Sequence, residues 1–150
     1  MLEQLLEQDI KAALLAGDSV KVTTLRGLKS ALLSAKVADG SRGTDMSDEK
    51  VITIFAKEAK KRQESIDMYV QGGNQPMADA ESVEKALIET YLPAQLDEAA
   101  IKAVIEDVVA ATGAADMSQM GPTIAAVKAK TSGAADGAVI ARLVKERLAQ

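Results

Sequence analysis

Three residue types are missing from this chain of 150 residues: it has no cysteine, no histidine and no tryptophan. Without cysteine there can be no disulfide, no thiolate zinc site and no cysteine nucleophile. Without histidine as well, serine–histidine and cysteine–histidine catalytic sites cannot be assembled. Any catalysis would depend on carboxylate or lysine chemistry, so we expect no catalytic residue, no cofactor and no metal.

Aromatic residues are also scarce, at 2% of the chain: Phe55, Tyr69 and Tyr91. Stacking on unpaired bases is therefore a poor binding mechanism for this protein. The apolar residues are mainly Ala, Leu, Val and Ile, and few stretches alternate in the way that strands require. Because Ala and Leu favour helices, the composition predicts an all-α protein.

Long apolar runs are absent too, since no stretch approaches the roughly 20 residues of a membrane span. The opening MLEQLLEQDIK is acidic and amphipathic, unlike the basic head and apolar run of a signal peptide. Apolar residues make up 47% and charged residues 27%, which is typical of a folded globular chain. We expect a cytoplasmic protein with no membrane partner.

What the sequence does contain is a series of helical stripes, in which apolar residues recur every three or four positions between caps and breakers. Four helices are predicted before YLPAQL at 91–96, and three shorter ones after it. Their expected bounds are Leu2 to Ala16, Asp18 or Ser19 to Ala38, a Ser47 cap to Gln71, Pro76 or Met77 to Tyr91, an Asp97 cap to Gly113, MSQMGP to Gly133, and an Asp136 cap to the C-terminal region.

YLPAQL interrupts this helical pattern. Pro93 lacks a backbone N–H and disfavours helical geometry at Leu92, so the fourth helix must stop there or kink. We interpret the segment as a joint between an N-terminal four-helix region, residues 1–92, and a compact C-terminal three-helix unit, residues 93–150. Tyr91 and Leu92 are expected to pack across it.

The net charge is −4, yet basic residues cluster in three places. Two clusters, in segments 20–36 and 57–62, are most simply solvated helix faces. The third could form a phosphate-neutralising patch on two adjacent helices: Lys128, Lys130, Arg142, Lys145 and Arg147. The acidic pairs that begin helices are explained by the helix dipole. SGAADGAV at 132–139 fits a tight turn with an Asp136 cap better than a nucleotide loop.

Five segments together resemble the GatB/YqeY family, in its free-standing YqeY-like branch. They are LRGLKSAL at 25–32, EAKKRQESI at 58–66, YLPAQL, TGAADMSQMG at 112–121 and GAADGAVIARLVKERL at 133–148. The resemblance implies a helical bundle followed by a three-helix unit. It also implies kinship with the tRNA-holding helical region of the B subunit of glutamine-dependent tRNA amidotransferase, a carbon–nitrogen ligase. No active-site residue can be carried over to this sequence.

These observations support one leading hypothesis and two alternatives. The leading hypothesis is a non-catalytic accessory module that contacts tRNA or aminoacyl-tRNA, or a protein of the translation machinery, through the five basic residues of the third cluster. The first alternative is a protein-interaction module without RNA binding, using Met117, Met120 and Pro122. The second is a stand-alone amidotransferase, which the missing histidine and cysteine argue against.

Overall fold

The computed structural model describes all 150 residues, and its regular structure is helical throughout, with no strand. The seven α-helices are α1 (Leu2–Ala16), α2 (Ser19–Ala38), α3 (Asp48–Gln71), α4 (Gln75–Glu89), α5 (Glu98–Thr112), α6 (Met120–Thr131) and α7 (Gly137–Leu148), and a 3₁₀ turn (Met117–Gln119) precedes α6. The all-α prediction is confirmed. No helix combines the length and apolar character that crossing a bilayer requires.

Most helix ends lie where the local sequence predicts them. Gly17 and Gly113 end α1 and α5 in the left-handed conformation, with φ of 69° and 70°. The Asp97 carboxylate accepts a hydrogen bond from the Ala100 amide at 2.8 Å, which caps α5. Asp136 caps α7 in the same way through the amides of its first turn.

Four helix ends differ from the prediction. Ser47 precedes α3, but its side chain makes no capping hydrogen bond. The α4 helix begins at Gln75, one residue before the predicted start, because the Asn74 side chain provides the cap, and it ends at Glu89 rather than Tyr91. The start of the sixth helix is divided into a 3₁₀ turn and α6 proper.

The chain divides into two compact units, Met1–Leu92 and Pro93–Gln150. The first has its own apolar core, formed by one side of α1, α2, α3 and α4: Leu6, Ile10, Leu25, Leu28, Leu32, Met46, Val51, Phe55, Ala59, Ile88 and Tyr91. The Tyr91 ring packs edge-on against Phe55, with centroids 5.5 Å apart. Tyr91 and Leu92, predicted to pack across the joint, pack in this core.

The outer half of the α3–α4 hairpin is held differently. The buried residues of α3 are Val51, Phe55 and Ala59, so its remaining turns contribute nothing fully buried. Here Arg62 forms a clasp with two carboxylates of α4, at 3.0 Å from Glu81 and 2.8 Å from Glu84. We call this ion triplet the Arg62 clasp.

The second unit has a separate core contributed by α5, α6 and α7. Its buried apolar residues are Ile101, Ile105, Val108, Val109, Ala114, Val127, Ile140, Leu143, Val144 and Leu148. Three of them, Val127, Ile140 and Val144, are completely buried. Their packing fixes the rotation of α6 and α7, and it therefore determines which basic side chains these two helices present to solvent.

Candidate nucleic-acid interface

The five basic residues of the third cluster lie on α6 and α7, as expected, but the structure does not present them as equivalent. Lys128 and Lys130 occupy the last turn of α6. Because they are two residues apart, their side chains leave the helix in directions about 200° apart. They therefore point to opposite sides of α6.

Lys128 reaches toward the start of α7. Its Cε and Nζ atoms lie 3.3 and 3.4 Å from the position that a Cβ on Gly137 would occupy. The small Gly137 thus leaves room for the lysine stem beside the first turn of α7. Lys145, near the other end of α7, is exposed, as are Lys128 and Lys130.

The two arginines of the cluster are bound to carboxylates. Arg142 pairs with Glu98 at the start of α5 and, at 3.1 Å, with Glu146 one turn further along α7. The hydrogen bond with Glu146 and the charge of Glu98 raise the pKa of Arg142 above its usual value.

Arg147 is held in the same manner, since its Nε donates to a Glu106 oxygen of α5 at 2.5 Å. That hydrogen bond and the charge of Glu106 raise the pKa of the guanidinium. No ion pair includes Lys128, Lys130 or Lys145, so these three carry the unneutralised positive charge of the cluster. We call them the free lysines.

The carboxylate partners of the arginines belong to the candidate site, and sequence reasoning missed them. Glu98 is 44 residues from Arg142, and Glu106 is 41 residues from Arg147. The sequence alone indicates only a first-turn acid at Glu98 and a solvated helix face at Glu106. Their pairing depends on how α5 packs against α7, and no local sequence signal reveals it.

In each of the two N-terminal basic clusters, two of the four basic residues form ion pairs. In segment 20–36, Lys29 binds Glu7 at 2.6 Å and Lys36 binds Glu3 at 2.7 Å. These pairs border a groove of about 250 Å³ between α1 and α2, floored in part by Leu6 and Leu32. In segment 57–62, Lys61 pairs with Glu58, and Arg62 forms the clasp described above.

The residues of the protein-interaction alternative differ in exposure. Met117, in the 3₁₀ turn, is 41% exposed, and Pro122 is exposed at the start of α6. Met120 instead packs against the apolar core of the second unit. Of these three residues, Met117 and Pro122 offer the most apolar surface to a partner.

Comparison with known proteins gives relatives that share one name, "Altered inheritance of mitochondria protein 41, mitochondrial". The protein of Eremothecium gossypii is 33% identical over 89 residues, which is 59% of this chain and 48% of that relative. Those of Vanderwaltozyma polyspora and Kluyveromyces lactis are 31% and 29% identical, over 58% and 57% of this chain and 46% and 45% of theirs. This chain spans about half the length of the curated relatives it matches.

The family model described as YqeY-like protein matches residues 3–148. That range includes all seven α-helices from the second residue of α1 onward, and both apolar cores. It also contains every segment on which the resemblance is based. The chain therefore belongs to the YqeY-like family.

Proposed function

We propose that this chain is a non-catalytic accessory module that contacts tRNA through the second unit. The observation that carries the proposal is the set of free lysines, Lys128, Lys130 and Lys145, exposed on α6 and α7 without carboxylate partners. They provide local positive charge on a chain whose net charge is −4. Lysines in such positions neutralise phosphates and release the counterions condensed on the nucleic acid.

The form of the surface favours contacts with the RNA backbone rather than with bases. The second unit contains no aromatic residue at all, so it has no platform for base stacking. Recognition by backbone position and shape is typical for structured RNA.

Arg142 and Arg147 belong to the proposed interface, but they must leave their carboxylate partners before they can bind phosphate. Their ion pairs are solvent-accessible, with side-chain exposures of 47% and 36%. Solvent screens exposed ion pairs of this kind, so they contribute little stability and a phosphate can replace the carboxylate at small cost. The planar guanidinium also suits a phosphate group, which it can bind through two hydrogen bonds. We propose that the free lysines contact the RNA phosphates first. The arginines then exchange their carboxylate partners for phosphates.

The kinship implied by the family resemblance supports an RNA role rather than a catalytic one. The resembling region of the amidotransferase B subunit helps to hold tRNA, while amide transfer takes place in a different domain. These 150 residues contain neither histidine nor cysteine, so we propose no ligase chemistry for them. The partner is a tRNA or aminoacyl-tRNA, alone or with a protein of the translation machinery, and the proposed compartment is the cytoplasm.

The proposal is tested by titrating labelled total tRNA with the full chain at low salt, with duplex DNA of similar length as comparator. Saturable tRNA binding that exceeds DNA binding is the expected result. Reversing the charge of all five basic residues should abolish it. Undetectable binding at low salt, or binding that survives this reversal, contradicts the proposal.

A second candidate function, protein interaction without RNA, is favoured by the exposed pair Met117 and Pro122. Methionine at a surface can adapt its shape to a partner. A complex that survives both nuclease treatment and high salt, and that is abolished in Met117→Ser, would favour this function over RNA binding.

A further inference from the structure

The turn between α1 and α2 displays apolar side chains to solvent. Its sequence is LLAGDSV, residues 14–20. Leu15 is 91% exposed, more than any other large apolar side chain of the protein, and Leu14 and Val20 are 49% and 51% exposed. We call this turn, with the three side chains, the α1–α2 corner.

The corner is a fixed turn. Gly17 adopts the left-handed conformation, and its amide bonds to the Leu14 carbonyl at 3.2 Å, while the Asp18 amide bonds to the Ala13 carbonyl at 3.0 Å. Ala13 is buried, and Leu15 follows it by two residues, so Leu15 leaves α1 about 200° away from that buried side. Leu15 could be buried in the core only if the whole α1 helix rotated about its axis.

Three cations without ion-pair partners lie within six residues of the apolar side chains of the corner: Lys11 on α1, and Lys21 and Arg26 on α2. Of the nearby carboxylates, Glu7 is neutralised by Lys29. Asp9 and Asp18 keep their negative charges, because Asp9 accepts a bond only from the neutral Tyr91 hydroxyl and Asp18 accepts the Lys21 amide as the cap of α2. The three cations therefore outnumber two carboxylates without cation partners.

We propose that the α1–α2 corner docks reversibly on the surface of a bilayer containing anionic phospholipid. Leu14, Leu15 and Val20 enter the boundary of the acyl chains, and the cations meet the phosphates. Lys11 is four residues behind Leu15, or about 6 Å along the helix. That distance matches a headgroup layer of about 5–8 Å on each side of the hydrocarbon core.

A bilayer fits this corner better than a protein partner does. Three side chains on a convex turn cover far less than the roughly 800 Å² that each partner contributes to a stable protein interface. A bilayer surface needs no matching cavity, and it supplies the negative charge that the cations require. This inference goes beyond the proposed RNA role, and it departs from the expectation of no membrane partner. That expectation rests on the lack of a spanning segment, which surface docking does not need.

The test is co-sedimentation of the full chain with phosphatidylcholine vesicles, prepared with and without phosphatidylglycerol. Binding is expected only to the anionic vesicles. Leu15→Ser should weaken it about tenfold, and Lys11→Gln about fivefold. Because both positions are exposed, circular dichroism should show unchanged folding.

Two variants are matched controls. Leu33→Ser alters a 56% exposed leucine of α2 far along the helix from the corner, and Lys102→Gln removes an exposed lysine of α5. Both should leave vesicle binding unchanged. Absence of binding to anionic vesicles overturns the proposal. So does binding that Leu15→Ser leaves intact, which would mean a purely electrostatic contact with polyanions.

Discussion

At the scale of single residues, the Tyr91 hydroxyl connects α1 to the end of the α4 segment by donating a hydrogen bond to Asp9. Burial, followed by this bond and the charge of Asp9, raises the pKa of the phenol above its usual 10.0. The hydroxyl therefore remains protonated and able to donate throughout the neutral range. The stability that it contributes is present below about pH 10 and is lost as the phenol ionises at higher pH.

Tyr91→Phe should destabilise the first unit by about 1–2 kcal/mol, because the hydrogen bond to a carboxylate is removed while the ring packing against Phe55 remains. Urea unfolding measures the change. Tyr69→Phe is the control, since the Tyr69 hydroxyl makes no hydrogen bond within the protein, and it should change stability little. Equal effects of the two substitutions would show that the Asp9 bond contributes nothing specific.

Glu3 offers a residue-scale prediction on pH. Its carboxylate binds Lys36 at 2.7 Å and accepts the Met46 amide at 2.6 Å. Burial opposes ionisation, yet these two hydrogen bonds lower the pKa of Glu3 below its usual 4.5. A lowered pKa means that the stabilisation is complete above about pH 4.5 and is lost as the pH falls through the folded-state value.

Glu3→Gln should therefore cost about 1–2 kcal/mol at neutral pH and flatten the decline of stability below pH 5. Unfolding free energies measured from pH 7 to pH 3 test this. Glu64→Gln removes an exposed glutamate with no ion-pair partner, and its curve should stay parallel to that of the unmodified protein. A Glu3→Gln curve that also stays parallel would rule out the proposed linkage.

At the scale of helices, the Arg62 clasp should hold the outer half of the α3–α4 hairpin. Arg62→Met keeps the length of the side chain but leaves Glu81 and Glu84, only 16% and 25% exposed, without a cation. We expect a destabilisation of about 1–2 kcal/mol, between the values for exposed and buried pairs. Amide hydrogen exchange should accelerate in residues 63–71 and stay unchanged around Phe55.

Lys61→Met is the matched control for the clasp, since it breaks only the Glu58 pair, in which the lysine is 68% exposed. Its cost should be below about 0.5 kcal/mol. Uniform acceleration of exchange over the whole first unit in Arg62→Met would mean that the hairpin does not open as a separate segment.

Helix capping gives a second element-scale prediction. Asp136 accepts the Ala138 and Val139 amides at 2.7 and 3.2 Å, whereas Ser47 makes no capping bond. Asp136→Ala should therefore cost about 1 kcal/mol, and Ser47→Ala only a few tenths. Thermal unfolding distinguishes the two. Similar destabilisation by both would show that the hydrogen bonds of the cap are not what stabilises α7.

Helix positions could be predicted from sequence because their signals are local. Gly17, Gly113 and Asp97 act within one turn of the residues they terminate or cap. The missing Ser47 capping bond has no local signal in the sequence. The same is true of the bond that the neighbouring Asp48 carboxylate accepts from the Leu2 amide at 2.9 Å, 46 residues away. Local patterns indicate where a helix begins, but only packing determines which side chain supplies each hydrogen bond.

At the scale of the whole molecule, the sequence reveals which residues of the candidate site cluster along the chain, but not which contacts packing gives them. The five basic residues were identifiable from clustering along the chain. Their division into free lysines and paired arginines depends on α5, whose Glu98 and Glu106 lie more than forty positions upstream of the arginines. Formal charge counts therefore overstate the positive charge that the second unit presents.

The central claim, tRNA contact through the free lysines, is tested most directly by the salt dependence of tRNA affinity. The full chain is compared with the triple variant Lys128→Gln, Lys130→Gln and Lys145→Gln. The control is Lys57→Gln, Lys60→Gln and Lys61→Gln, which removes the same charge from α3.

The slope of log affinity against log salt should become shallower by about 2–3 in the first variant, because each phosphate that a lysine no longer neutralises changes the slope by about 0.7–0.9. The slope of the α3 variant should match that of the unmodified chain. Equal slopes for all three proteins, or an equal change in both variants, would contradict the claim.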